Sequence, residues 1–208
     1  MSLVSSVARR PTWPRYAWSF ATWLGLALLF SALGVLTPER RFAIPVVIAG
    51  AFGALVLAYR RDAEFRSLAD QVDLRIVLAL HAIRAAAGAA FLALMHQGRL
   101  APEFALVAGW GDIAAGAGAL ALMPLLGAGL PLAGFRRRAL AAWNTFALAD
   151  ILLVVFTAQR ILLVRGDVEA MRGLLDFPGP VLPLFLVPLV LATHVLVFVR
   201  LKRQAPSA

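Results

Sequence analysis

Residues 76–95 read IVLALHAIRAAAGAAFLALM, a run in which only His81 and Arg84 can carry charge. A helix rises about 1.5 Å per residue, so this run is long enough to cross a hydrocarbon core of about 30 Å. The rest of the chain repeats the pattern. Of its 208 residues 62% are hydrophobic and 15% charged, against about 25% charged in soluble domains. With a mean hydropathy of +0.84, the composition excludes a water-soluble globule.

Five further apolar blocks flank this one, and the six expected spans are residues 16–36, 42–59, 76–95, 104–126, 140–157 and 181–199. The expectation is an all-α membrane protein: a six-transmembrane-helix bundle forming a single polytopic domain over residues 1–208. The first block follows a basic leader containing Arg9, Arg10 and Arg15, as a secretory signal does. It exceeds an h-region in length and has no small-x-small cleavage site before Thr37-Pro38, so it reads as an uncleaved first helix.

Net charge is +9, and every basic residue but Lys202 is arginine. Alternate flanking segments hold thirteen basic residues against six, which by the positive-inside rule puts both termini in the cytoplasm. Trp13 and Trp18 then sit in the aromatic belt of that face. The richness in alanine, arginine and glycine suggests a GC-rich bacterial genome and hence the inner membrane. The basic residues are spread over short loops without a soluble module to present them, so the lipid bilayer, not nucleic acid, is the expected partner. The absence of cysteine excludes disulfides, iron–sulfur clusters, thiolate zinc sites and cysteine nucleophiles.

Two connections are long. Residues 60–75, RRDAEFRSLADQVDLR, read as a short amphipathic helix at the cytoplasmic surface. Residues 160–180 mix leucines with Arg165, Asp167, Glu169 and Arg172, and read as an interfacial amphipathic helix between spans five and six. No repeat of 20–50 residues is visible.

An ionisable group inside a span costs at least about 2.5 kcal/mol on insertion scales, so each needs a partner or a task. Counting from the cytoplasmic flanks, His81, Asn144 and His194 each lie six residues in, which places them in one layer. Arg84 lies about a turn deeper, with Asp112 and Asp150 near the midplane. His96 and Glu103 fall at span ends. Asp112 belongs to a small-residue stripe (Ala105, Ala108, Gly109, Ala115, Gly116, Ala119) that points it into the bundle. Asn144 and Asp150 are about 120° apart around their helix, so at most one is expected to be ideally aimed. Pro188 removes a backbone donor and frees the carbonyl of Leu184, and a kink there is expected to open a cavity around His194.

His81, Arg84, Asp112 and His194, supported by Asn144 and Asp150, are the expected ligand- or proton-binding residues. Arg84 would anchor an anion or pair with Asp112. One arginine cannot neutralise two aspartates, so the second carboxyl holds or shares an exchangeable proton. No cofactor follows directly. The alternative is a single haem b held by His81 and His194 as metal ligands, one from each of two facing helices, in an electron-transfer protein. Gly109-Trp110-Gly111-Asp112 spells GxGD and resembles the motif of intramembrane aspartyl peptidases. Those families carry their other catalytic aspartate in a span upstream of the motif. Here none lies in a span before Asp112 and no PAL sequence follows, so the pattern points away from an enzyme. A zinc site is disfavoured by the depth difference between histidines and aspartates. From another class, a structural or partner-binding subunit would use the small-residue faces to pack in a homodimer or a larger membrane complex.

Overall fold

The computed structural model describes residues 13–127 and 132–203, and every regular element among them is helical. Arg9 and Arg10 of the leader lie outside the described residues. The helices are α1 (Trp13–Ala32), α2 (Ala43–Arg61), α3 (Ala63–Gln71), α4 (Leu74–His96), α5 (Pro102–Leu122), α6 (Gly134–Gln159), α7 (Arg172–Leu175) and α8 (Val187–Arg203). Local chemistry sets several of the starts. Asp62 Oδ1 accepts the backbone N–H groups of Glu64 and Phe65 at 2.9 and 3.1 Å, Asp73 Oδ1 accepts that of Arg75 at 2.8 Å, and Pro102 opens α5 where no N–H is required.

Five helical stretches are long and apolar enough to cross a membrane: Ala43–Arg61, Leu74–His96, Pro102–Leu126, Gly134–Val164 and Leu182–Arg203. They correspond to the second to sixth expected spans. The fifth is longer than expected, because Arg136, Arg137 and Arg138 stay helical at one end and a π-turn carries the other to Val164. The first expected span forms α1, which is 20 residues long but not among these five. Arg15, Tyr16, Trp13, Trp18 and Trp23 dilute its apolar content.

Helices α4 and α5 form the most intimate pair. A Cβ at Gly116 would stand 2.6 Å from the backbone nitrogen of Ala85, and one at Gly88 would run into the backbone of Gly109 and Ile113. The small-residue faces of spans three and four are therefore used on each other, within the chain, to bring two backbones into contact. Helix α6 packs on the other side of α5, and α8 closes the bundle against α6 and α2. The carbonyl that Pro188 releases is taken up as its position demands: Trp23 Nε1 of α1 donates to Leu184 O at 2.9 Å. The backbone widens into a π-turn over Leu182–Leu186 just before it.

The connection over 160–180 differs from expectation. In place of one interfacial helix it forms the π-turn Arg160–Val164, a 3₁₀ turn Glu169–Met171 and the single turn α7. Gly166, at φ 67°, breaks the helix after the π-turn. The segment then folds back onto the α4–α5 connection, with Ala101 N donating to Ala170 O at 2.6 Å and Gly173 N to Arg99 O at 2.8 Å. Ile161, Leu162 and Met171 bury inward, whereas Val164 and Phe177 stay exposed. The expected surface helix over 60–75 is present as α3. Arg200 of α8 ties down the end of α3, donating to Val72 O at 2.6 Å and to Ala69 O.

Two outcomes follow from this packing. Gly116→Leu should lower stability by about 1–3 kcal/mol through overpacking at the α4–α5 contact, whereas Gly50→Ala, with open space around it, should not; thermal unfolding in detergent measures both. The N–H of Phe65, the Tyr16 hydroxyl, the N–H of Glu64 and Arg15 together hold the exposed Asp62 carboxyl below its ordinary value, against a smaller opposing effect of desolvation. A carboxyl so depressed stabilises the cap above its unfolded value of about 3.9 and loses that contribution as pH falls through the lower folded value. Amide exchange in α3 should therefore be faster in Asp62→Ala than in the native protein at pH 7, and the difference should vanish in strong acid.

Candidate functional site

The six polar residues expected inside the spans come together in the bundle as two neighbouring groups. Helix α4 contributes to both, because His81 and Arg84 are three residues apart and share a face.

The first group is centred on Arg84, which is 5% exposed. Its Nε donates to Asp112 Oδ1 of α5 at 2.7 Å, one terminal nitrogen donates to Ala147 O of α6 at 3.0 Å, and the other pairs with Asp150 of α6. One guanidinium thus holds three helices through two carboxylates and a carbonyl. Both carboxylates are buried. The approach of Asp150 depends on Gly111, where a Cβ would collide with that carboxyl group. The two glycines of the GxGD stretch have packing tasks: Gly109 lies against Gly88 and Leu92, and Gly111 against Asp150.

The second group joins α4, α6 and α8. The imidazoles of His81 and His194 are in contact, with ring centroids 4.4 Å apart, and Trp143 of α6 meets His81 edge-on at 5.1 Å. Both histidines and Asn144 are fully buried. Their hydrogen bonds assign the tautomers. Thr193 Oγ1 lies 2.8 Å from Val190 O and 3.0 Å from His81 Nε2; with its proton given to Val190 O, it accepts from a His81 ring protonated on Nε2. Asn144 Nδ2 donates to His194 O at 3.2 Å, which turns Asn144 Oδ1 toward His194 Nδ1 at 2.8 Å and places the proton of His194 there. The opposite amide orientation would set two oxygens against each other. His81 Nδ1 and His194 Nε2 are left as buried acceptors with no partner among the described residues.

Asn144 and Asp150 are both engaged, which corrects the expectation that at most one would be ideally aimed. Helix α6 lies between α8 and α5, so two directions about 120° apart each meet a neighbour. The cavity expected around His194 is not there, since that side chain is enclosed. A cavity of about 100 Å³ lies instead beside the arginine, walled by Ile48, Phe91, Phe104, Ile151 and Val190 among others, with Arg84 and Asp112 as its charged lining. The rings of His81 and His194 lie against each other, tilted by 54°. Among the described residues no three His, Asp or Glu side chains are grouped to hold a metal ion.

Trp143, Thr193, Gly111 and the carbonyl of Ala147 were not foreseen. Thr193 was visible only as the neighbour of His194, and Gly111 only as the neighbour of Asp112. The carbonyl of Ala147 has no signature in sequence, since any residue supplies one.

Residues 41–202 match the family model described as Domain of unknown function (DUF8737), and the chain belongs to that family. The matched region holds every residue of both groups and begins after α1. No curated protein and no solved structure matches the chain.

Removing only the cation leaves two buried carboxylates uncompensated. Arg84→Met should therefore cost about 3–5 kcal/mol in thermal or denaturant unfolding, whereas Arg84→Met combined with Asp112→Leu and Asp150→Leu should recover most of the loss.

Proposed function

We propose that the buried Arg84, Asp112 and Asp150, with His81, Asn144 and His194 beside them, form an intramembrane site that binds or translocates protons or a small ligand by exchanging a proton. The chain is proposed to cross a bacterial inner membrane six times, α1 supplying the first crossing, with both termini cytoplasmic. The observation that carries the functional reading is the stoichiometry of the arginine group: two carboxylates share one guanidinium, next to a cavity that Arg84 and Asp112 line. With both carboxylates ionised the group carries one negative charge inside the bilayer, where an isolated charge is expensive. A proton removes that cost and a cation or a second proton donor can replace it. Asp112 is the proton carrier, since it reaches the cavity. Arg84 holds the two acids apart and would anchor an anionic ligand group. The bare nitrogen of His81, about a turn away along α4, and that of His194 on α8 beside it offer the next acceptors.

The rival is a purely structural ion group that sets helix register, and the two readings separate by substitution. Proteoliposomes carrying the full chain and a trapped pH dye should take up protons faster than empty vesicles under an imposed potential. Asp112→Asn should reduce that uptake to the empty-vesicle level while the protein remains folded by circular dichroism. Uptake unchanged in Asp112→Asn, or in the variant that also replaces Arg84 and Asp150 by apolar residues, would assign the group to structure alone.

A further inference from the structure

A second and larger cavity, of about 470 Å³, lies between α1, α2, α3 and α8, at the end of the bundle that carries α3. Its volume falls within the range of about 300–1,000 Å³ found for ligand pockets. The walls are aromatic and aliphatic, with Phe20, Leu55, Phe65, Leu189 and Leu196 among them. Two phenols also line it, but their hydroxyls are already committed: Tyr16 donates to Asp62 at 2.8 Å and Tyr59 to Asp70 at 2.7 Å. The interior therefore offers an apolar body little hydrogen bonding to compete with.

Its charged lining residue is the exposed Arg60. The carboxylates of this end are engaged by other arginines: Asp62 and Glu64 by Arg15, Asp70 by Arg203, and Asp73 by Arg75. Arg60 makes no ion pair among the described residues, and it is the charged residue in a lining that apart from Tyr16, Tyr59 and Thr193 is apolar. An apolar chamber with one uncompensated cation calls for an amphiphile with an anionic head. In a bilayer the abundant molecule of that kind is an anionic phospholipid, and basic residues at helix ends are where such headgroups settle.

We infer that this cavity is a binding site for an anionic phospholipid, with one acyl chain held between α1, α2 and α8 and the phosphate on Arg60. Thr193 belongs to the cavity wall and also accepts the N–H of His81, so the acyl chain lies one side chain away from the buried imidazoles. The site is separate from the arginine group and does not depend on its role.

Native mass spectrometry of the full chain in neutral detergent, titrated with phosphatidylglycerol, phosphatidylcholine or palmitate, tests the assignment. Phosphatidylglycerol should bind in preference to phosphatidylcholine, Arg60→Gln should weaken it about fivefold, and Leu196→Trp, which fills the chamber, should abolish it. Because Arg60 is exposed, its variant judges the site even if Leu196→Trp fails to fold. Equal binding of the two phospholipids, or phosphatidylglycerol binding unchanged in Arg60→Gln, would overturn the proposal. Binding of palmitate without phosphatidylglycerol would also overturn it, and would give the cavity to a free acid.

Discussion

The bundle is organised around a guanidinium that cannot be left unpaired in lipid. Arg84 is buried among α4, α5 and α6, and each of its contacts crosses to another helix. Burial of such a cation is tolerable only where carboxylates and carbonyls replace its water, so the three helices have little freedom to rotate or slide while the pairing holds. Both carboxylates also need the arginine. The group by itself adds little stability, because desolvation consumes most of the attraction it provides.

Close packing makes this geometry reachable. The glycines and alanines of α4 and α5 bring their backbones into contact, which places Asp112 at 2.7 Å from Arg84 Nε, and Gly111 clears the space into which Asp150 leans. One turn along α4, His81 meets His194 of α8 ring to ring, with Thr193 and Asn144 at hydrogen-bond distance from one nitrogen of each ring. The two groups therefore share one face of α4. A change in either is felt through α4. On the far side, the break around Pro188 gives Trp23 of α1 a carbonyl to bind, so α1 is tied to the bundle by a hydrogen bond that an unbroken α8 would not offer.

The sequence was most legible where a single coordinate decided the matter. Depth along a helix follows from counting residues, and counting grouped His81, Asn144 and His194 together and Arg84, Asp112 and Asp150 together, as their contacts do. Direction around the axis was legible only where one neighbour mattered. On α6 the assumption of a single facing partner failed, since that helix has neighbours on two sides and uses Asn144 for one and Asp150 for the other. Residues 160–180 misled for a similar reason: their mixture of leucines and charges fits a helix lying in the interface, but Gly166 interrupts the helix and backbone bonds to Arg99 and Ala101 fold the segment inward.

Composition and run length by themselves determined the class of protein, the existence of the long helices and the short list of polar residues inside them, because the bilayer acts on each segment separately through length and transfer energy. Tertiary structure alone decided that Arg84 takes both aspartates, that the histidines meet ring to ring, that the small-residue faces are spent within the chain, and where the two cavities lie. Those outcomes depend on how helices are rotated against one another and on atoms, such as the carbonyl of Ala147, that every residue possesses. A count along one chain does not contain that rotation, which is set only when all the helices pack at once.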